Sequence, residues 1–405
     1  MTNVDNPAEA PASSAEIKLK LAVPIIVVCF LIVVFDGMDT ISITFVAPAL
    51  ADLWDLPPSA MTSAFLATSL GAVVGYGIGG PLAMRWGPRC VALVSVALFG
   101  VGAMATVFAI GVASLAAIRF VTAIGLGAAL PIAVAAATNA VSARHKGAAA
   151  ILTASGLSFG GVVAGLAGIP LMRRFGWTSV FVVGGLFPVL LLPAVFKTIP
   201  NAKNIAVPVG ARPMTAAAMW ERPLIARTLL LWLFSFLVFV DAYALLFWLP
   251  TVLTTVGVPK EQAPASAAAF AMGGLIGDIV LAFLISALTP VWTLALSCVV
   301  GILVVAVFGL MHISQSLVLP LVVGMGAGFI PCCVGQSALA VSFYPPYLRA
   351  TGIGWAAAVG RIGSILGPAV GGLVLFLGWS PQEIVLTAII PAICALGALF
   401  AISRL

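Results

Sequence analysis

Charge is what this sequence has least of. Only 7% of its 405 residues are Asp, Glu, Lys or Arg, and histidine occurs twice. A soluble chain carries about 25% charged residues, so a water-facing surface cannot be built from this composition. Basic runs are missing too. The longest cluster is Arg144-His145-Lys146, so the formal charge of +6 leaves no nucleic-acid footprint. The six cysteines, Cys29, Cys90, Cys298, Cys332, Cys333 and Cys394, have no metal-ligand spacing with either histidine. Lying in or beside apolar runs, they read as small core hydrophobes. With no histidine in a span, no nucleophile elbow and no metal motif, neither an enzyme nor a bound cofactor is expected. Residues 1–20 are polar, Ala-, Pro- and Ser-rich, and lack the order of a signal peptide. They are predicted to be an untranslocated, disordered tail.

What the sequence has is apolar surface. Hydrophobic residues make up 62% of it, and the mean hydropathy is +1.23. At about 20 residues per span, the chain has room for a dozen crossings with short loops. Its 41 glycines and 27 prolines are tolerated in membrane helices. Apolar segments fall near 22–48, 60–82, 89–111, 114–140, 147–172 and 177–198, then near 225–250, 264–288, 291–311, 316–344, 349–376 and 380–402. The predicted organisation is a tail (1–20), a six-helix bundle (21–198), a linker (199–224) and a second six-helix bundle (225–405). The predicted fold is therefore an all-α membrane protein with twelve transmembrane helices in two pseudo-symmetric six-helix bundles.

Loop charge sets the orientation. Thirteen basic residues fall on the side of the termini: Lys18, Lys20, Arg85, Arg89, Arg144, Lys146, Lys197, Lys203, Arg212, Arg222, Arg227, Arg349 and Arg404. Only Arg173, Arg174 and Lys260 fall on the other. The positive-inside rule then places both termini and the linker in the cytoplasm, across a bacterial-type inner membrane. Two parallel six-span repeats are one plan of secondary transporters, which bind substrate near the midplane between the halves.

Six ionisable residues lie inside predicted spans: Asp36, Asp39, Arg119, Asp241, Asp278 and Arg361. Each costs about 2.5–3.5 kcal/mol at a helix centre, so each is expected to face a cavity or a partner. Four acids against two arginines leave two carboxylates without a cation. A buried carboxylate in that position favours its protonated form, so all four acids are candidates for proton coupling. Asp36 and Asp39, three residues apart, share a helix face and would titrate as a unit; permanent pairing of one with Arg119 is the alternative. Arg119 and Arg361 are candidates for gripping a carboxylate through a planar guanidinium. Asp241 precedes Tyr243, Phe247 and Trp248. An aromatic-rich wall with one acid suits a flat ring and accepts from a ring hydroxyl. Gln336 and Trp355 complete the candidate substrate-binding set. His145 and His312 read as solvated loop residues.

Several strings resemble the major facilitator transporters, and among them the aromatic acid/proton symporters. Phe35-Asp36-Gly37-Met38-Asp39, with Pro48 closing the span, is similar to that family's Asp-Gly-x-Asp signature. Arg119 through Pro131 resembles its fourth span, Gly176-Trp177 through Gly184-Gly185 its sixth, and Phe247-Trp248-Leu249-Pro250 the end of its seventh. The most specific match runs from Phe343-Tyr344-Pro345 through Arg349-Ala350-Thr351-Gly352 and Gly360-Arg361 to Gly367-Pro368. The resemblance covers about residues 20–400. It implies uptake of an aromatic or related carboxylate driven by protons, through alternating access of a monomer. It also implies gating by Gly80, Arg85, Gly87, Arg89 and Arg349.

The chain departs from the pattern at four places. Met84 stands where the loop after the second span carries an aspartate, and Asn139 where an acid often follows the fourth. The loop Ser286 to Trp292 lacks charges, and Asp241 is additional. In the family those missing groups form ion pairs that close the cytoplasmic side, so their loss is expected to weaken that gate. Proton-driven efflux of a metabolite or drug is the alternative direction of transport. A transporter-like sensor of aromatic acids is the alternative class, disfavoured by the short cytoplasmic segments.

Overall fold

The computed structural model describes residues 10–201, 216–255, 265–311 and 315–405. Within them, twelve helices are long and apolar enough to cross a membrane. The first six spans are Ala22–Leu53, Thr62–Trp86, Pro88–Phe108, Val112–Asn139, Ala143–Phe175 and Trp177–Thr198. The second six are Leu224–Thr254, Ser266–Leu284, Pro290–Leu310, Gln315–Phe343, Arg349–Val374 and Glu383–Arg404. Residues 1–9 of the tail, Lys203 and Arg212 of the linker, Lys260 and His312 lie outside the described residues.

The helices pack as two bundles with the same internal pattern. The second span lies along the fourth as the eighth lies along the tenth, and the third meets the sixth as the ninth meets the twelfth. The first span packs on the fifth and sixth, and the seventh on the eleventh and twelfth. Between lipid-exposed helices there is little hydrophobic drive, so small residues that let backbones approach govern such contacts. A Cβ at Gly75 would collide with the Ile124 carbonyl of the fourth span; one at Gly273 would collide with the Val323 carbonyl of the tenth. The bundles meet where the second and fourth spans touch the eleventh, and the fifth touches the eighth and tenth.

The first helix overruns both of its sequence-based boundaries. The first continues through Pro48 to Leu53 and extends back to Ala10, so neither a stop at Pro48 nor a wholly unstructured tail is found. Within lipid, ending a helix at a proline would leave backbone groups without any partner, so the helix continues and its neighbours re-satisfy it. The fifth span is not one regular helix. It runs Lys146–Ala154, Gly156–Val163, a wider π turn Ala164–Gly168, and Ile169–Phe175. The cysteines also divide: Cys29, Cys298 and Cys332 are buried, but Cys90 and Cys394 are exposed, contrary to a core reading of all six. A thiol is apolar enough to face lipid as readily as a core. His145 is exposed, with Nδ1 bonded to the Ser142 hydroxyl at 2.9 Å.

Candidate functional site

The intramembrane charges resolve into separate groups. Arg119, fully buried, donates through Nη1 to Asp39 Oδ1 at 3.0 Å, with Nη2 2.7 Å from Oδ2. This pair joins the first span to the fourth, so Arg119 does not snorkel to an interface. An arginine at this depth has no water to reach, and the fork geometry of guanidinium matches a carboxylate. The Phe181 ring lies 6.0 Å from its guanidinium carbon.

Asp36, one turn earlier, is 1% exposed, and its Oδ1 accepts from the Thr40 hydroxyl at 3.2 Å while Oδ2 has no hydrogen-bond partner among the described residues. The cations within electrostatic reach of Asp36 are Arg361 of the opposite bundle and Arg119. Arg361 donates through Nη1 to the Tyr243 hydroxyl at 2.8 Å, with its guanidinium 5.8 Å from that ring and its Nε without a hydrogen-bond partner among the described residues. Buried Tyr76 of the second span also borders Arg361. Thus an acid from one bundle and an arginine from the other lie within electrostatic reach of each other, with Tyr76 and Tyr243 beside the arginine. Phe239 stacks on Tyr243 with centroids 5.9 Å apart.

The other acids stand apart. Asp278, fully buried in the eighth span, accepts from Ser158 of the fifth at 2.8 Å, a bond across the bundle interface, and its Oδ1 has no hydrogen-bond partner among the described residues. Asp241 is 1% exposed, and among the described residues neither carboxylate oxygen has a hydrogen-bond partner. Gln336 accepts from the Ser235 hydroxyl within the second bundle.

Not every aromatic candidate joins the Arg361 cluster. Phe247 is 62% exposed, its ring set edge-on to Trp248. Trp248 Nε1 donates to the Pro368 carbonyl at 3.0 Å. Trp355 stacks on Trp232, which meets Trp220, near the start of the seventh span. Buried Tyr76 and half-buried Thr40 and Ser158 belong to these polar groups but carry no sequence signal that separates them from other membrane hydroxyls.

Of the gating candidates, two bridge the halves. Arg349 Nη1 donates to Asn139 Oδ1, and its Nε donates to the Tyr344 carbonyl at 3.3 Å. Gly80 lies so close to the eleventh span that a Cβ there would run into Thr351 Cα. Arg89 acts within one bundle, donating to the Ile199 carbonyl at 2.7 Å. Arg85 is exposed. Gly87 turns the chain between spans at φ +90°, a backbone angle that favours glycine. These contacts lie at the end of the bundle that carries the C-terminus, where Arg227 reaches the Leu405 carbonyl at 2.5 Å.

Twelve membrane-length helices in two matched bundles, with charged and hydroxyl groups converging between them, define a secondary transporter. The sequence model of the Major Facilitator Superfamily matches residues 29–368, and the chain belongs to that family, whose members are transporters rather than enzymes. It is 29% identical over 406 residues to the 4-hydroxybenzoate transporter PcaK of Pseudomonas aeruginosa, covering 92% of this chain and 91% of that protein. It is 34% identical over 371 residues to the 3-(3-hydroxy-phenyl)propionate transporter of Escherichia coli, covering 90% and 89%. The solved structure of the proton:xylose symporter XylE superposes with a TM-score of 0.74 at 14% identity, over 95% of each chain.

Proposed function

We propose that this protein imports an aromatic carboxylate together with protons, by alternating exposure of a site between its two bundles. The observation that carries this reading is that Asp36 in one bundle lies within electrostatic reach of Arg361 in the other. A carboxylate substrate takes the Arg361 guanidinium, which leaves Asp36 only Arg119, already engaged by Asp39. A buried carboxylate in that state is neutralised by a proton. Anion and proton therefore load together, and the loaded site carries less net charge through the barrier than either ion alone. Tyr76 and Tyr243 supply hydroxyls and ring faces for an aromatic body. The relatives named for aromatic acids support that substrate class.

Arg119 is already engaged by Asp39. In this reading the pair fixes the first span against the fourth and holds Asp36 in place. Asp278 lies on the bundle interface, while Asp241 has no part in the substrate site. The termini face the cytoplasm of a bacterial-type inner membrane, supported by the thirteen-to-three distribution of loop cations. With the halves held at that end by Arg349–Asn139 and by the Gly80–Thr351 contact, the site opens outward.

Uptake of labelled 4-hydroxybenzoate and benzoate into right-side-out vesicles tests this reading. Accumulation is expected to rise with an inward proton gradient, to collapse with an uncoupler, and to disappear in Arg361→Gln. Accumulation that ignores the gradient would exclude symport, and extrusion under the same gradient would establish efflux. An Asp36→Asn protein is expected to exchange substrate across the membrane yet fail to concentrate it.

A further inference from the structure

The proposed cycle loads Asp36 and leaves a second acid of the bundle interface without a task. Asp278 of the eighth span is fully buried, and its Oδ2 accepts from the Ser158 hydroxyl of the fifth at 2.8 Å. Its Oδ1 has no hydrogen-bond partner among the described residues. The eighth span packs against the fifth, seventh, ninth and tenth. Of their titratable groups, the Cys333 thiol of the tenth lies within electrostatic reach of Asp278, as it does of Asp241 and Arg361. Lys146, Tyr243 and Cys298 of the other three spans engage Arg349, Arg361 and Asp241 instead. No cation among the described residues answers the charge of Asp278.

The bond to Ser158 belongs to a seam between the halves. Ile285, two turns further along the eighth helix, lies against Gly147 at the start of the fifth. The two spans are thus closed from Asp278 to the end latched by Arg349 and Asn139. Ser158 sits on Gly156–Val163, between a break at Ser155 and the π turn Ala164–Gly168, and such interruptions recur at functional sites.

We propose that Asp278 is a second proton-binding site, filled while this end of the protein is closed and emptied when it opens. Opening separates Asp278 from Ser158 and admits water, to which the carboxyl group gives up its proton. Closing buries the group again beside a single hydroxyl. A charge is costly there, and a neutral carboxyl avoids that cost, so closing takes one proton back. In the import reading, on which this assignment of sides rests, that water is cytoplasmic. The proton leaves to and returns from the same side and is not carried across. Each unit rise in cytoplasmic pH then shifts the closed-to-open ratio about tenfold towards open, over the range where Asp278 is ionised open and neutral closed. Cytoplasmic acid, which proton-driven import produces, holds this end shut and restrains further release.

Spin-label distances in the purified full-length protein in lipid nanodiscs test this without substrate or gradient. A ketone-bearing amino acid carries the labels in place of exposed Ala143 and Ala287, leaving the native thiols untouched. Between about pH 5 and about pH 9 a short distance is expected to give way to a longer one, by up to about tenfold in ratio per unit. Asp278→Asn, neutral at every pH, should make the distribution independent of pH. Thermal unfolding verifies folding, and Asp278→Ala, equally neutral, decides the matter if the amide variant does not fold. Asp36→Asn and His145→Gln, which remove other titrating groups of the interface and of this end, should respond to pH as the original protein does. A pH-independent distribution in the original protein, or a dependence that survives Asp278→Asn, would overturn the proposal. In vesicles, Asp278→Asn is expected to slow uptake yet reach the same accumulation ratio. A lower ratio would make Asp278 a carrier of transported protons and overturn the proposal equally. Failure of the original protein to accumulate any acid would count against the import reading alone, because the distances do not depend on it.

Discussion

Arg349, at the start of the eleventh span, donates to the side-chain oxygen of Asn139 at the end of the fourth. The two bundles are therefore latched at the end bearing the C-terminus by a bond from a cation to a neutral amide. The bond is charge-assisted through the guanidinium alone, and a carboxylate at position 139 would add the attraction of an opposite charge.

Asn139→Asp is expected to turn that latch into an ion pair. The state closed at this end would be favoured, thermal stability would rise, and exchange of labelled for unlabelled substrate would slow several-fold. Asn139→Ala should act in the opposite direction and lower thermal stability. Equal exchange rates in all three proteins would show that the contact does not govern the cycle.

Gly80 permits the second and eleventh spans to touch, because any side chain there meets the Thr351 backbone. Overpacking of this kind costs about 1–3 kcal/mol. The Gly80→Leu protein should insert normally but lose most transport, with Gly80→Ala intermediate. Cysteine cross-linking between the second and eleventh spans would report the failure to close.

Breaking one partner of a buried ion pair costs about 3–5 kcal/mol, because the other charge is left uncompensated. Asp39→Asn and Arg119→Gln should each lower thermal stability strongly. The double variant should be less impaired than the two single losses combined. Strict additivity in such a cycle would show that the 2.7 Å contact contributes no coupling.

Tyr243 holds Arg361 through its hydroxyl. Hydrogen bonds to charged groups are worth about 1.5–3 kcal/mol, so Tyr243→Phe should raise the half-saturating substrate concentration by roughly tenfold or more. The maximal rate should change less. Uptake measured across substrate concentrations separates the two.

Ser158→Ala removes the bond that Asp278 receives from the neighbouring bundle. Because Oδ1 is already unpartnered, the carboxyl group would be left with no hydrogen-bond partner, at a cost of about 1–3 kcal/mol. A lowered unfolding temperature, restored by Ser158→Thr, is the expected result.

Much of the architecture was legible along the chain. Apolar length marks spans wherever a helix must satisfy its own backbone in lipid. Pro48 misled, because that same demand carries a helix past a proline. The charged residues were legible as positions to be explained, since each opposes insertion. Their partners were not. Asp36 and Asp39 share a face, yet only Asp39 is gripped by Arg119. Phe247 and Trp355 looked like walls of the site, but one is exposed and the other stacks on Trp232.

The sequence by itself determined that this is a multi-pass membrane protein, and its resemblance named the family, because hydropathy and short motifs are local properties. Only the tertiary structure decided which acid meets which arginine, that Asn139 serves where an acid was missing, and that Asp278 meets Ser158 of the other bundle. Those meetings join residues 80 positions apart in Asp39–Arg119 and 210 apart in Asn139–Arg349. They depend on how whole helices are rotated and packed against one another, and no local periodicity encodes that.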